Sequence, residues 1–262
     1  MRQDLALTST PDVCHTQTFM RFLVTLALAS AALGAQTSEK FSFDVEWRLI
    51  TAGRTDLTWQ QGAGGFTGQL ALRSTGLVSR LFKVNDIYDA RGSHELCATE
   101  TRLQAEEGSR KRDTLVRWNG TKSHYLERDL LKNTVVLEQN LDVPPCVHDI
   151  LAALAKLRSL RTLGPGQSAT LPISDGKKFV MARIDGQERE RVSTKIGQFQ
   201  TIRYEAFLFN EVLFKRSARL LIWISDDERR IPVQVQVRMR IHIGNVTFQL
   251  DKVEPPVEGL KK

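Results

Sequence analysis

The clearest pattern of hydrophobic and polar positions lies near the carboxyl end of the chain. From Ile231 to Ile243 every odd position is apolar, while the even positions that follow Pro232 are polar. Alternation with a period of two is typical of a strand that buries one face and leaves the other in water. After Gly244 and Asn245 the apolar residues move to even positions, as a two-residue hairpin turn requires. The pattern therefore predicts an antiparallel sheet.

The polar face of this predicted hairpin carries Arg238, Arg240 and His242 in one row. Such a row could bind an anion. The predicted register also places Arg238 opposite Asp251, and a cross-strand ion pair between them explains the row without a ligand. We favour the ion pair and keep the anion site as the alternative.

Weaker alternation predicts strands along most of the remaining chain, with turns at 51–54, 62–65, 119–120 and 185–186. These strands are expected at 41–50, 57–60, 66–73, 85–91, 95–105, 112–118, 123–128, 134–140, 169–173, 177–184, 188–192, 199–209 and 218–225. Apolar residues at helical spacing predict a short helix within 75–83.

One long helix is predicted to start at Pro144-Pro145 and to end before Gly164. Its apolar stripe comprises Val147, Ile150, Leu151, Leu154 and Leu157. A long twisted sheet must cover its apolar face or close on itself. We therefore expect a mainly β fold, a curved antiparallel sheet or half-open barrel with this helix packed on it.

The chain of 262 residues with 41% hydrophobic content is sufficient for a real core. No low-complexity spacer separates its halves, so we expect one β-rich domain over residues 36–253. Residues 254–262, which include Pro255-Pro256, are expected to form a flexible tail.

Residues 20–34 resemble an export signal. Met20-Arg21 provides a short positive end, an apolar run follows, and small residues surround the expected cleavage site near Gly34. The run is shorter than a bilayer span, which needs about 20 residues, although an uncleaved anchor stays the alternative. We expect translation to start at Met20, which makes 1–35 an extension plus signal peptide of a periplasmic or secreted protein.

The net charge of +7 belongs entirely to the part that follows the predicted signal. A basic exported protein could meet anionic envelope surfaces, or the charge could serve solubility alone. No phosphate-binding loop occurs in a strand-to-helix context, and export argues against nucleic acid. We therefore expect neither nucleotide nor nucleic-acid binding, and no cofactor.

Cys97 and Cys146 are the two cysteines that follow the predicted signal. In an oxidising compartment such a pair is most simply a disulfide. Cys146, His148 and Asp149 also invite a metal interpretation, but a site needs three or four ligands at compatible spacing. We expect the disulfide and no metal.

Acid–base chemistry could involve Asp226 and Asp227, which stand before Glu228 and two arginines. Paired carboxylates can act as acid and base when one is desolvated. Here the neighbouring guanidinium groups and an exposed turn favour ordinary ionised groups. We expect no catalytic residue, and a hydrolase is the least favoured alternative.

The chain resembles domain-of-unknown-function family 3108, a bacterial family of exported proteins. The segments that carry the resemblance are Asp149-Ile150-Leu151 with Leu157-Arg158, Asp175-Gly176-Lys177-Lys178-Phe179, Gly186-Gln187-Glu188, Gly197-Gln198-Phe199-Gln200-Thr201, Ile222-Trp223-Ile224-Ser225-Asp226-Asp227 and Arg230-Ile231-Pro232-Val233, with Gly76-Leu77 in the first half. The resemblance implies a β-rich periplasmic fold and no established activity.

These observations lead to a non-enzymatic envelope protein that binds a hydrophobic or amphiphilic ligand between sheet and helix. The candidate ligand-binding residues are Leu151, Leu154, Trp223, Arg238 and Arg240. The expected partner is a lipid or another envelope component. A structural or protein-interaction module of the envelope is the alternative, and an apolar cavity of several hundred Å³ would favour the ligand-binding hypothesis.

Overall fold

A computed structural model describes residues 37–48, 50–207, 218–239 and 244–255, with only the backbone of 218 and 239. All of these lie in one compact unit, Gln36–Lys262. The predicted signal, Arg240, Ile241, His242, Ile243 and most of the predicted tail lie outside the described residues.

The described residues form fourteen strands and two helices. The strands are β1 Thr37–Trp47, β2 Ile50–Gly62, β3 Gly65–Ser74, β4 Val84–Gly92, β5 Ala98–Glu107, β6 Arg110–Asn119, β7 Lys122–Asp129, β8 Thr134–Asp142, β9 Ser168–Ser174, β10 Phe179–Thr194, β11 Gly197–Phe207, β12 Ala218–Ser225, β13 Pro232–Met239 and β14 Asn245–Glu254. The helices are α1 Gly76–Leu81 and α2 Ile150–Ser159.

All fourteen strands belong to one antiparallel sheet. Its order is β8-β7-β6-β5-β4-β3-β2-β1-β14-β13-β12-β11-β10-β9, so two meanders are joined side by side by the pairing of β1 with β14. The prediction of a mainly β antiparallel fold is confirmed. The described sheet is not closed into a barrel, because β8 and β9 stand at its two edges.

The segment between β8 and α2 connects the two meanders by backbone hydrogen bonds. Ala98 N donates to Val147 O at 2.8 Å, and His148 N donates to Pro172 O at 2.8 Å. On the side of β9, Ser174 N also donates to His148 O at 3.0 Å. Val147 and His148 therefore lie in extended backbone between β5 and β9.

This segment explains why the prediction of one long helix is wrong. The backbone groups of Val147 and His148 are used in sheet-like hydrogen bonds, and Cys146 has a left-handed φ of 59°. Asp149 then caps the helix, its carboxylate accepting from Leu151 N at 2.8 Å and Ala152 N at 3.3 Å. The helix is therefore ten residues long.

The register predicted for the carboxyl-terminal hairpin is also wrong. Arg238 lies opposite Asn245, and Val235 lies opposite Phe248, so Asn245 is already paired within β14. The predicted and observed registers differ by an even number of residues, which leaves the same face buried. Alternation fixes the buried face, whereas the length of the connection fixes the register.

Two predicted turns are part of strands. The chain reverses between Trp47 and Ile50, which are paired, so residues 51–54 belong to β2. β10 continues through Asp185 and Gly186, which pair with Glu205 and Tyr204 of β11. Gly186 also packs against the backbone of Gly164, where an added Cβ would lie 2.1 Å from the carbonyl oxygen.

The short helix predicted in the first half is present as α1, which has no buried residue.

Candidate functional site

An apolar cavity of about 440 Å³ lies between α2 and the face of the sheet that carries most of the core. One side is formed by β1 to β3, and the other by β9 to β14. Every lining residue in the described part of the chain is apolar except Thr55. The lining comprises Phe43, Thr55, Leu57, Leu70, Leu72, Ile150, Leu151, Ala153, Leu154, Leu157, Ile173, Ile184, Ala206, Leu220, Ile222, Pro232, Val235, Val237 and Phe248.

The alternation of each strand directs these side chains to the same space. Leu220 and Ile222 of β12 line the cavity from even positions, and Val235 and Val237 of β13 from odd positions. The register pairs Ile222 with Val235 and Leu220 with Val237, so the apolar residues of the two strands are neighbours. Because strands of both meanders line the same cavity beside α2, the sheet curls around this helix.

Arg158 holds the carboxyl end of α2 against β1 and β2. Its Nη2 donates to Glu39 Oε2 at 2.6 Å, and its Nε donates to Arg230 O at 2.7 Å. The guanidinium also lies over the rings of Trp59, at 4.6 Å, and Phe41, at 5.3 Å. The side chain is nearly buried, so these contacts are made in a low-dielectric environment.

Arg230 holds the same end of α2 against β11. Its Nη2 donates to Tyr204 Oη at 2.9 Å and to Leu157 O at 3.4 Å, and its Nε donates to Arg158 O at 3.3 Å. Free carbonyl groups at a helix carboxyl end favour a cation. The contacts of Arg158 and Arg230 therefore fix α2, which forms one wall of the cavity, to strands of both meanders.

A second, smaller chamber of about 230 Å³ adjoins the apolar cavity. Ile150 and Ile173 line both spaces. Away from these two side chains the chamber has a mixed lining with hydroxyl and charged groups. Its other lining residues are Tyr88, Thr101, Leu103, Thr114, Val116, Tyr125, Ser174, Asp175 and Lys177.

The buried polar groups beside this chamber have perturbed protonation. Burial raises the pKa of the Asp149 carboxyl to about 6, although the backbone amides that it caps lower it. Burial and the nearby Asp149 raise the pKa of the Tyr88 hydroxyl well above its ordinary value. Tyr88 Oη donates to Asp149 Oδ1 across 3.4 Å. Within the described residues, Asp149 Oδ2 has no hydrogen-bond partner.

The structure brings together only part of the predicted binding site. Leu151 and Leu154 line the apolar cavity. Trp223 and Arg238 do not, because they follow the opposite parity of β12 and β13 and lie on the other face of the sheet. There Trp223 Nε1 donates to Glu190 Oε1 at 2.6 Å, and Arg238 Nε donates to Gln236 Oε1 at 2.6 Å. Arg240 lies outside the described residues.

The predicted ion pair between Arg238 and Asp251 is wrong because it depended on the incorrect hairpin register. Arg238 lies opposite Asn245, and Asp251 forms an ion pair with Arg54 of β2.

Cys97 and Cys146 form a disulfide with a Cα–Cα distance of 4.5 Å. His148 is buried and its Nδ1 lies 2.7 Å from Leu96 O, while Asp149 caps α2. Glu95 lies beside the disulfide. The sulfur atoms of Cys97 and Cys146 are oxidised in this bond, so they offer no thiolate to a metal. Each member of the suggested metal cluster thus has a structural role.

Asp226 and Asp227 form the turn between β12 and β13. Asp227 Oδ1 accepts from Ser225 Oγ at 2.8 Å and from Arg230 N at 3.0 Å, and Asp226 pairs with Arg189 at 2.7 Å. Ser225 Oγ in turn accepts from Ile231 N at 2.7 Å. The turn shapes the backbone so that Arg230 reaches α2.

A larger depression of about 510 Å³ crosses β2 to β5. It is lined mainly by polar side chains, some of which bind each other, as Gln69 Nε2 does with Asp89 Oδ1 at 2.8 Å. Depressions of this kind are ordinary on a solvated sheet face. The apolar cavity is therefore the better candidate site.

The sequence analysis assigned Tyr88, Lys177 and Asp175 to predicted strands or turns, but it did not predict that these residues line one chamber. These residues are far apart in the chain, and their approach depends on the curl of the sheet. One usable signal was present, since residues 175–179 carry the family resemblance.

Neither helix in the described part of the chain is both long and apolar enough to cross a membrane.

Comparison with known proteins gives a family and a fold. Residues 42–251 match the family described as "Protein of unknown function (DUF3108)". No curated protein matches the sequence. Among solved structures, the beta-barrel-like protein of domain of unknown function DUF1849 from Brucella abortus is similar, with a TM-score of 0.54 and 10% identity, over 82% of this chain and 96% of that one. At this identity the likeness shows the fold alone, whereas the family match covers most of the sequence: the chain belongs to the DUF3108 family of proteins of unknown function.

Proposed function

We propose that this protein binds the hydrocarbon part of a hydrophobic or amphiphilic ligand in the apolar cavity. The observation that carries the proposal is a space of about 440 Å³ whose described lining is apolar apart from Thr55. Ligand pockets commonly have volumes of about 300–1,000 Å³ and apolar walls. Protein interiors are otherwise packed with few voids larger than a water molecule.

The wall chemistry favours a hydrocarbon chain over a polar molecule. Thr55 Oγ1 is buried without a described hydrogen-bond partner, and no other side chain in the described lining offers a polar group. A polar ligand would lose its hydrogen bonds to water here, whereas an apolar chain gains about 25 cal/mol for each Å² that leaves water.

We also propose that the protein works after export, in the periplasm or outside the cell. The Cys97–Cys146 disulfide supports this proposal, because disulfides persist in oxidising compartments. The apolar run that follows Met20-Arg21 supports it independently.

Filling the cavity tests the proposal. Leu154 lies on α2, is half-buried and lines the cavity. We expect the wild type to brighten the uncharged fluorophore N-phenyl-1-naphthylamine and hexadecanol to displace it. Leu154→Trp should weaken both ligands at least about tenfold, because the larger ring occupies the space. Leu154→Ala should retain binding.

Leu77→Trp is the matched control, since Leu77 is exposed on α1 and lines neither space. Circular dichroism and the thermal midpoint establish that each variant folds. Equal fluorophore binding by the wild type and a folded Leu154→Trp variant would contradict the proposal.

A second candidate function is an interaction module of the cell envelope. It is favoured by α1 and the residue after it, where Leu77, Leu81 and Phe82 expose 61%, 76% and 53% of their surface. Replacing Leu81 and Phe82 by serine should then reduce sedimentation with vesicles or envelope fractions and leave fluorophore binding unchanged.

A further inference from the structure

The chamber beside the apolar cavity is placed where the polar end of a bound chain would lie. Ile150 and Ile173 line both spaces, so a ligand that passes these side chains leaves an apolar wall and meets a polar one. Hydroxyl groups of Tyr88, Thr101 and Tyr125 line this second space. Its volume of about 230 Å³ suits a small head group rather than a second chain.

Lys177 provides the positive charge of the chamber. It lies on the turn between β9 and β10, and its Nζ is 5.0 Å from the centre of the Tyr125 ring. No described carboxylate forms an ion pair with this ammonium group. The turn is fixed in place by Ser123 Oγ, which donates to Gly176 O at 3.1 Å, and by Gln139 Nε2, which donates to Lys177 O at 3.0 Å.

The negative groups around the chamber are already engaged. Asp175 Oδ1 accepts from the backbone amides of Lys177 at 2.8 Å and Lys178 at 2.9 Å. Asp149 caps α2, and Glu127 Oε2 accepts from Tyr125 Oη at 2.8 Å. One oxygen of each carboxylate accepts from protein donors, which weakens its competition for a cation.

The aromatic rings do not favour a cationic ligand either. A quaternary ammonium head is usually held over aromatic faces. Here Lys177 itself occupies the face of Tyr125. A second cation at this place would be repelled by the ammonium group.

We propose that the chamber binds the anionic head group, a carboxylate or a phosphate, of a single-chain amphiphile, with Lys177 as its counter-charge. This inference rests on the proposed function, since the apolar cavity must hold the chain. Ile150 and Ile173 form the boundary between chain and head.

Four ligands with the same chain test the inference. Hexadecanoate, hexadecyl phosphate, hexadecanol and hexadecyltrimethylammonium are used to displace N-phenyl-1-naphthylamine at pH 8, each below its micelle concentration. We expect the wild type to bind at least one anion about tenfold more tightly than hexadecanol, as a charge-assisted hydrogen bond implies. The ratio of the two anions distinguishes carboxylate from phosphate.

Lys177→Gln should reduce that preference to less than about threefold, because it weakens the binding of the anions far more than the binding of hexadecanol. Lys178→Gln is the matched control, because the neighbouring lysine is exposed and lines neither space. It should keep the wild-type preference, and circular dichroism should show that both variants fold.

The outcomes separate the two proposals. The head-group inference is wrong if hexadecanol or the cationic ligand binds the wild type as tightly as both anions. It is also wrong if Lys177→Gln retains the preference for the anion. In both cases the proposal of an apolar binding site is unaffected. If none of the four ligands displaces the fluorophore, both are wrong.

Discussion

At the scale of single residues, Asp149 combines two roles that conflict as the pH rises. Its carboxylate caps α2, yet burial raises its pKa to about 6 from an unfolded value of about 3.9. The folded protein therefore holds this proton more tightly than the unfolded chain does. The resulting stabilisation is fully present below about pH 4 and is lost as the pH rises through 6.

We expect Asp149→Asn to remove this part of the pH dependence, because asparagine caps a helix without ionising. Between pH 4 and pH 7 the wild type should lose roughly 2–3 kcal/mol of unfolding free energy through this group. The variant should lose correspondingly less, as measured by urea denaturation at several pH values.

Asp86→Asn is the comparison, since burial and then Glu107 raise the pKa of Asp86 to about 6 as well. Asp86→Asn should retain the pH dependence of the unfolding free energy that comes from Asp149. Parallel curves for the wild type and Asp149→Asn would show that Asp149 does not titrate as its burial implies.

At the scale of elements, the strands and the existence of α2 were predictable, and the start of α2 was not. Alternating residues located nearly every strand because burial of one face leaves a local mark in the sequence. The long helix failed because Val147 has the right spacing for a helical stripe but lies in extended backbone between β5 and β9. Similarly, Trp223 has a large aromatic ring and was predicted to bind a ligand. It occupies an odd position of β12, however, and its side chain lies on the face of the sheet away from the cavity.

The segment before α2 depends on the disulfide, which joins Cys146 to Cys97 at the start of β5 across 49 residues. Replacing both cysteines with alanine should lower the unfolding free energy by about 4 kcal/mol, because the unfolded chain regains the entropy of an open loop. Denaturation in urea measures the loss.

The wild type in a reducing agent should approach the stability of the double variant. A reduced wild type as stable as the oxidised protein would show that hydrogen bonds alone position the segment. In either case fluorophore binding reports whether α2 still lines the cavity.

At the scale of the whole molecule, Arg158 connects α2 with β1, β2 and the turn after β12. Arg158→Met should destabilise the fold by about 3 kcal/mol, because Glu39 and two carbonyl groups lose a nearly buried cation. Arg183→Met is the control, since Arg183 pairs with Asp185 but is largely exposed, and we expect little change. Urea denaturation measures both, and equal effects would contradict the assigned role.

The pairing of β1 with β14 has a consequence for how the chain reaches this structure. Phe43 and Leu250 are neighbours in the sheet although about two hundred positions separate them in the sequence. Each meander pairs strands that are close in sequence, whereas the pairing of β1 with β14 joins strands from opposite ends of the described chain. Folding should thus be governed by one late, distant encounter, and until then each half exposes an unpaired edge to aggregation and proteolysis.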